Sequence, residues 1–259
     1  AIERARLADE AQNATVQVET ERLRNSLLSS VSHDLRTPLA SITGAATTLL
    51  QANGALTLET RHELVATIAE EADRLNRLLT NLLDMTRLEA GAVQVKKEWQ
   101  PLEEVIGATL ARMNAQLQTH PVIVNLPSDL PLVPLDGVLI EQVLINLLEN
   151  AVKYTSAQSP IEINAYPTDD TVVVNVADRG PGLADEEKQR VFDKFYCIRP
   201  NHVHNGSGLG LTICRGIIEA HGGRIWVENR NDGPGAVFTF TLPLDGEAPS
   251  VDAEILDPL

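Results

Sequence analysis

The feature that most constrains this chain is its first fifty residues, which are typical of one long helix with a single apolar stripe. Between Ala1 and Leu50 the only proline is Pro38 and the only glycine is Gly44, and helix-forming residues dominate. Apolar side chains recur there at three- and four-residue steps, at Leu28, Val31, Leu35, Ile42, Ala46 and Leu49. The pattern predicts a helix with a coiled-coil-like seam.

A second helix is predicted after the breaker Asn53-Gly54. It carries its own apolar stripe, at Leu64, Ile68, Leu75, Leu79, Leu82 and Met85. Two helices with one seam cannot enclose a core alone. The simplest completion is a second copy of the chain, which predicts a homodimer held by an antiparallel four-helix bundle with two helices from each chain.

The pattern changes near residue 91, where alternating segments begin that are typical of strands separated by helices. The second half is therefore predicted to be mixed α+β. The predicted strands are Val93–Trp99, Val122–Leu126, Ile161–Ala165, Thr171–Ala177, Arg224–Glu228 and Ala236–Leu242, and the predicted helices are Leu102–Leu117, Asp136–Lys153, Glu186–Phe192 and Leu209–Ala220. The acidic tail, residues 246–259, is predicted to be disordered.

Charge and composition exclude several classes of function. Lys and Arg number 21 against 36 Asp and Glu, and only 3% of residues are aromatic, so broad nucleic-acid binding is not expected. Cys197 and Cys214 have neither disulfide-framework nor zinc-ligand spacing. No apolar run is long enough for a membrane span. Because the chain begins with Ala1 rather than Met, we expect it to be the cytoplasmic portion of a longer protein whose membrane or sensory part precedes it.

One histidine lies on the wrong side of the first helix for a core residue. At ~100° per residue, His33 points almost opposite the seam and faces solvent. Asp34 adjoins it, Thr37 lies one turn ahead, and Pro38 should bend the helix just beyond it. Taken alone, His33 is either a solvated surface histidine or a reactive imidazole whose tautomer is fixed by a carboxylate.

Three further segments carry side chains suited to a metal-nucleotide complex. Asn146, Asn150 and Lys153 form a polar stripe on one predicted helix, which is either a solvated face or a set of ligands for Mg²⁺ and phosphate. Asp178 follows a strand and enters a glycine-containing loop. A glycine-rich turn, residues 206–210, leads directly into a helix, whose free N–H groups could bind phosphates. A turn of this kind is weak evidence alone.

The order of these segments resembles the sensor histidine kinase family. SHDLRTPL, residues 32–39, is similar to its phospho-accepting box. The asparagine helix, DRGPG at 178–182, VFDKF at 191–195 and GSGLG at 206–210 resemble its N, G1, F and G2 boxes, and together the match extends over residues 25–243. The resemblance implies a helical bundle followed by an α/β two-layer sandwich ATP-binding domain of the histidine kinase and Hsp90-like type.

The resemblance also implies roles for individual residues. His33 would attack the γ-phosphorus of ATP, Asp34 would orient or deprotonate its imidazole, and Thr37 would position water for the reverse phosphatase reaction. Mg²⁺ would be bound by Asn146 and Asn150, phosphates by Lys153, and the adenine amino group by Asp178. The remaining implied nucleotide-binding residues are Tyr154, Gly180, Gly182, Phe195, Gly206, Gly208, Leu209 and Gly210.

The residues between the F and G2 boxes, Tyr196 to Asn205, would form a mobile ATP lid that Phe192 and Phe195 anchor. In this lid His202 and His204 depart from the more basic, glycine-rich segment that we expect of the family. They are either loop variation or a pH- or metal-sensitive element.

Four longer segments are very similar to the transmitter region of the potassium-responsive sensor kinases: VKKEWQPLEEVIGATL, LINLLENAVKYT, VFDKFY and LGLTICRGIIEAHGG. This implies autophosphorylation on His33, transfer to an aspartate of a response regulator receiver domain, a phosphatase activity, and potassium or osmotic signalling. The implied domains are a signalling helix extension (1–23), a dimerisation and phosphotransfer domain (24–91) and a catalytic ATP-binding domain (92–245). A superfamily ATPase that cycles conformation and a non-catalytic dimerisation scaffold are the alternatives.

Overall fold

A computed structural model of the chain describes residues 35–52, 56–89, 94–198 and 208–246. The chain divides into two units, of which the first ends at Leu82 and the second begins at Leu83. The composition boundary predicted near residue 91 lies outside the described residues. None of the helices within these ranges combines the length and the apolar content needed to cross a membrane.

The described part of the first unit is helical. Helix α1 covers residues 35–51 of the described chain, and helix α2 covers Leu58–Glu89, so the second predicted helix is confirmed. The last residues of α2, from Leu83 onward, belong to the second unit. Thr57 caps the N-terminus of α2, because its Oγ1 accepts from the Thr60 backbone N–H at 3.1 Å. The described positions of the α1 stripe are only half-buried, and on α2 Leu79 is 42% exposed. Leu28 and Val31 lie outside the described residues.

The second unit contains a five-stranded sheet and a two-stranded sheet. The strands are β1 Glu98–Gln100, β2 Val122–Asn125, β3 Val133–Leu135, β4 Ile161–Pro167, β5 Thr171–Ala177, β6 Ile225–Asn229 and β7 Ala236–Pro243. The large sheet has the order β2-β4-β5-β7-β6, in which β2 pairs parallel to β4 and the other neighbours pair antiparallel. The small sheet pairs β1 with β3. The helices are α3 Leu102–Arg112, α4 Asn114–Leu117, α5 Gly137–Tyr154, α6 Asp185–Arg190 and α7 Gly210–Ala220.

The alternation of buried and partly exposed side chains along the strands explains why the core forms. In β4 the residues Ile161, Ile163 and Ala165 are buried, whereas the intervening side chains are partly exposed. Helix α5 buries one apolar face against this side of the sheet and packs between α3 and α7. The result is a layer of helices on a mixed sheet, so the predicted α+β class and α/β sandwich are confirmed.

The structure differs from the sequence expectation in three places. Strand β1 begins at Glu98, and residues 94–97 of the predicted strand lie outside it, because the Lys96 backbone N–H donates to the Asp136 carboxylate at 3.1 Å instead of to a neighbouring strand. Val93, the first residue of the predicted strand, lies outside the described residues. The predicted helix from Leu102 divides at Met113, whose φ of −89° and ψ of 6° leave helical geometry. Strand β3 was not predicted, since it is only three residues long and contains Pro134, which cannot donate to a neighbouring strand.

Candidate functional site

Helix α5 places the polar stripe that the sequence predicts. The helix begins after Asp136, whose Oδ1 accepts from the Leu139 backbone N–H at 3.3 Å. Its apolar face is buried, and on the opposite side Asn150 and Lys153 line a cavity. The Lys153 Nζ also lies 4.9 Å from the centre of the Tyr154 ring, which lines the same cavity. Asn150 and Lys153, two members of the predicted polar stripe, therefore line the same cavity.

Asn146 lies one turn before Asn150, next to the start of α7. Its Oδ1 would be 3.3 Å from a Cβ built on Gly210. Its Nδ2 is buried and has no hydrogen-bond partner within the described part of the chain. The neighbouring thiol of Cys214 is fully buried, which raises its pKa to about 12 and keeps it neutral. Asn146 is therefore a buried polar group beneath the N-terminus of α7, with the Cys214 thiol as its neighbour.

Asp178 is held by the backbone at the end of β5. Its Oδ1 accepts from the backbone N–H groups of Gly180 at 2.7 Å and Ala236 at 3.2 Å. No described residue donates to its Oδ2. Burial raises the pKa of the Asp178 carboxyl above its usual value, and the two backbone N–H groups and the charge of Arg230 offset only part of that rise. The carboxylate lines the cavity with one oxygen fixed and the other available as an acceptor.

The loop after Asp178 is shaped by a close backbone approach. Gly182 has a φ of +73°, and a Cβ there would lie 2.9 Å from the Asn229 Oδ1. That oxygen accepts from the Leu183 N–H at 2.8 Å, while the Asn229 Nδ2 donates to the Leu183 carbonyl at 2.8 Å. Asn229 therefore pairs with both backbone groups of Leu183 and fixes the cavity wall.

Phe195 and Gly208 join the two ends of the segment that the sequence predicts to be a lid. Both have positive φ, +62° and +65°, and the Phe195 N–H donates to the Gly208 carbonyl at 3.0 Å. A Cβ on Gly208 would lie 2.6 Å from the Phe195 backbone, so only glycine fits without rearrangement. Beyond this junction, α7 begins at Gly210 with its N-terminus at the cavity, and that end of a helix favours anions.

These elements enclose a cavity of about 780 Å³, a size typical of small-molecule sites. Seven predicted site residues line it: Asn150, Lys153, Tyr154, Asp178, Gly182, Gly208 and Gly210. Four others adjoin it without lining it: Asn146, Gly180, Phe195 and Leu209. Thr37 is an exposed residue of α1. The remaining predicted positions lie outside the described residues: His33, Asp34, His202, His204 and Gly206.

Sequence reasoning missed part of the lining. Glu187 from α6 and Ala236 and Phe238 from β7 reach the cavity. Ala236 contributes a backbone N–H, which leaves no side-chain signal. Phe238 alternates with its neighbours as any core residue of β7 does. The one available signal is the turn-forming run NDGPG, residues 231–235, which predicts a tight connection near the site.

The donor set fits a nucleotide with Mg²⁺. The described residues contain no cluster of three or more His, Cys, Asp or Glu side chains that could hold a metal. Mg²⁺ normally keeps few protein ligands and takes the rest from phosphates and water. The carboxamides of Asn146 and Asn150 are hard oxygen donors suited to that ion, and the Lys153 ammonium and the N-terminus of α7 suit the phosphates.

Comparison with known families agrees with this site. Residues 23–91 match the family model described as "His Kinase A (phospho-acceptor) domain", and residues 135–246 match "Histidine kinase-, DNA gyrase B-, and HSP90-like ATPase". The chain belongs to the sensor histidine kinases, which confirms the family predicted from the boxes, and its second unit carries their ATP-binding domain.

Among individual relatives, the chain is 42% identical over 246 residues to the sensor protein KdpD of Clostridium acetobutylicum and 43% identical over 246 residues to that of Escherichia coli K12. Each match covers 94% of this chain but only 27% of the relative. The histidine kinase ThkA, solved in complex with the response regulator protein TrrA, is 28% identical with a TM-score of 0.64, over 86% of this chain and 64% of that one.

Proposed function

We propose that the chain uses ATP to phosphorylate its own His33 and then passes the phosphoryl group to an aspartate of a response regulator receiver domain. The observation that carries the proposal is the cavity wall, which combines the Asn150 carboxamide, the Lys153 ammonium and the Asp178 carboxylate with a helix N-terminus. The matched phospho-acceptor region, residues 23–91, supplies the acceptor histidine.

In this proposal the adenine end of ATP contacts Asp178. Its Oδ1 is already occupied by two backbone donors, so the free Oδ2 accepts from the exocyclic amino group. The phosphates extend toward Gly208, Gly210 and the N-terminus of α7, where backbone N–H groups and the helix dipole favour negative charge. Lys153 adds a positive charge on the facing wall.

Asn150 and Asn146 would hold Mg²⁺ through their carboxamide oxygens. When bound, the ion would offset the charge that develops on the phosphates. The same two residues argue against a hydrolytic ATPase, since neither can act as the carboxylate base that activates water.

At the phospho-acceptor, the imidazole Nε2 of His33 would form a bond to the γ-phosphorus as the bond from that phosphorus to the β–γ bridging oxygen breaks, leaving ADP. Asp34 would accept a hydrogen bond from Nδ1–H and so keep Nε2 unprotonated and nucleophilic. Thr37, one turn along α1, would position water when the phosphorylated receiver is hydrolysed.

The assembly in this proposal is a homodimer through the helical unit, with a receiver domain as partner. The phospho-acceptor match and the ThkA–TrrA complex support these partners. Similarity to KdpD supports potassium or osmotic signalling by a longer, membrane-attached protein of which this chain is the transmitter. The proposed domains are those given above: 1–23, 24–91, 92–245 and 246–259.

The test is incubation with γ-labelled ATP, followed by stability of the label in acid and base. The chain should acquire acid-labile, base-stable label, and His33→Gln should acquire none. His62→Gln, an exposed histidine of α2, is the matched control and should label normally. Base-stable label that persists on His33→Gln would remove His33 from its role.

A further inference from the structure

A four-residue charge cluster lies at the end of the large sheet beside the cavity, formed by Arg179, Arg230, Glu162 and Asp232. The Arg230 side chain is 8% exposed. Its Nε and Nη2 donate to the two oxygens of Asp232 at 2.8 and 3.0 Å, and Nη2 also lies 3.1 Å from the Glu162 Oε1. Arg179 contacts the same two carboxylates, each at 3.1 Å.

Arg230 closes the turn between β6 and β7. It follows the last residue of β6, and its backbone N–H donates to the Gly235 carbonyl at 3.0 Å. Asp232 lies within the turn, so the two-point pairing of its carboxylate with the guanidinium fixes the connection from inside. Glu162 belongs to β4 and ties the turn to the sheet beyond β5.

The same turn packs against Asp178. The Asp178 N–H donates to the Ala236 carbonyl at 2.9 Å, and the Ala236 N–H donates back to the Asp178 Oδ1 at 3.2 Å. A Cβ on Gly235 would collide with the Asp178 carbonyl oxygen and lie 2.8 Å from the Arg230 Cδ. Gly235 is therefore enclosed between the two residues, and movement of Arg230 has a direct route to Asp178.

We propose that Arg230 is a positioning residue for adenine recognition: it holds the β6–β7 turn in the one arrangement in which the Ala236 N–H binds Asp178 Oδ1 and leaves Oδ2 for the base. This inference depends on the proposed function, in which Asp178 accepts from the adenine amino group. Arg230 acts through the turn and touches neither nucleotide nor metal. Its positive charge additionally favours the ionised carboxylate against the cost of burial.

The cluster is not arranged for stability alone. A buried guanidinium is costly unless every donor is paired, yet the Arg230 Nη1 has no partner in the described chain. Its partner Asp232 is 58% exposed, and ion pairs of that kind contribute little to stability. The planar guanidinium of arginine fits this geometry, because its separate N–H groups reach both oxygens of Asp232 and also Glu162. The single ammonium of a lysine cannot make the same set of contacts.

The experiment compares two nucleotides that differ at the recognised group. ADP carries the exocyclic amino group, and inosine diphosphate carries an oxygen in its place. Affinities of the whole chain for each, with Mg²⁺, are measured by calorimetry for the wild type, Arg230→Gln and Arg230→Lys. Arg224→Gln, an exposed arginine just before β6, is the matched control.

We expect wild type and Arg224→Gln to prefer ADP by about tenfold or more, the effect of a hydrogen bond to a charged group. Arg230→Gln should lose most of this preference by weakening ADP binding, while its affinity for inosine diphosphate stays within about twofold. Arg230→Lys should also lose part of the preference for ADP. If Arg230→Gln does not fold, Arg230→Lys provides the test. In an Asp178→Asn background, Arg230→Gln should cause no further loss.

The outcomes separate the two proposals. If wild type binds both diphosphates equally, adenine recognition by Asp178 is wrong. If wild type prefers ADP and folded Arg230 variants keep that preference, or lose affinity for both nucleotides equally, Arg230 is only a structural residue and the positioning role is overturned.

Discussion

The two units of this chain differ in how completely each buries its own apolar side chains. In the second unit Ile140, Leu144 and Leu147 of α5 are fully buried. In the first unit Leu79, a stripe residue of α2, is 42% exposed, and Val65 of the same helix is 55% exposed. Exposed apolar stripes of this kind mark interaction surfaces. The comparison indicates that the nucleotide unit can fold alone, and it agrees with the proposal that a second copy completes the helical unit.

The largest expected effect follows from breaking the proposed helical dimer. Residues 1–90 alone should form a helical dimer, and Leu35→Glu or Leu79→Glu should split or unfold it. Each buried Leu contributes about 1.5–3 kcal/mol, and a two-fold axis doubles the loss. Light scattering and circular dichroism provide the measurement, with the exposed Gln51→Glu as the charge control.

The complementary fragment sharpens the same comparison. Residues 92–245 should be monomeric and bind Mg-ATP without phosphorylating themselves, because they lack His33. A monomeric helical fragment beside a dimeric nucleotide fragment would contradict the proposed assembly.

The next effect should be confined to the nucleotide unit. Asn150→Ala should lower nucleotide-dependent phosphorylation by about 100-fold or more, since it removes a ligand of the metal that offsets phosphate charge. The dimer should persist, because the two units have separate cores. Incubation with γ-labelled ATP measures the phosphorylation, titration with Mg-ADP measures the nucleotide affinity, and light scattering measures the dimer. Asn76→Ala, exposed on α2, is the control. Unchanged affinity would mean that the asparagine stripe is only a solvated face.

A smaller effect is expected on how the stability of the second unit changes with pH, and His221 is the residue that should cause it. This residue is buried; its Nε2 accepts from the Asp136 N–H at 3.1 Å, and its Nδ1 lies 2.8 Å from the Ile217 carbonyl, an arrangement that requires the neutral ring. Burial lowers the pKa of His221 below 6.5. Its contribution to stability is therefore fully present above pH 6.5 and is lost as the pH falls through the lowered pKa.

His221→Gln should accordingly cost about 1–3 kcal/mol of unfolding free energy at pH 7.5 and much less at pH 5. Denaturant unfolding followed by tryptophan fluorescence isolates this unit, because both tryptophans of the chain, Trp99 and Trp226, lie within it. His62→Gln, on exposed α2 surface, should change neither value. An equal loss at both pH values would show that the ring acts through packing rather than through its neutral state.

How much of the fold and the site could be predicted from the sequence depends on how far apart along the chain the interacting residues lie. Asn150 and Lys153 were predicted because their spacing on one helix is local, and Asp178 because a strand end and glycines mark it. Arg230 and Ala236 were not predicted, since pairing of β5 with β7, distant in sequence, brings them to Asp178. Helix α2 was predicted from the sequence because helical periodicity repeats, whereas the three residues of β3 offer no such repeat.

The smallest expected effect distinguishes two reactions within the helical unit. Thr37→Ala should leave autophosphorylation within about twofold of wild type, because its hydroxyl would contact water in the reverse reaction rather than ATP. Loss of phosphate from a phosphorylated receiver domain should slow about tenfold or more, a typical contribution of one positioning hydrogen bond. Thr43→Ala, whose hydroxyl donates to the Leu39 carbonyl on the exposed surface of α1, is the control for removing a helical hydroxyl. Equal dephosphorylation rates for Thr37→Ala and wild type would exclude Thr37 from the phosphatase reaction, and a matching loss of autophosphorylation would place it instead with His33 in the forward step.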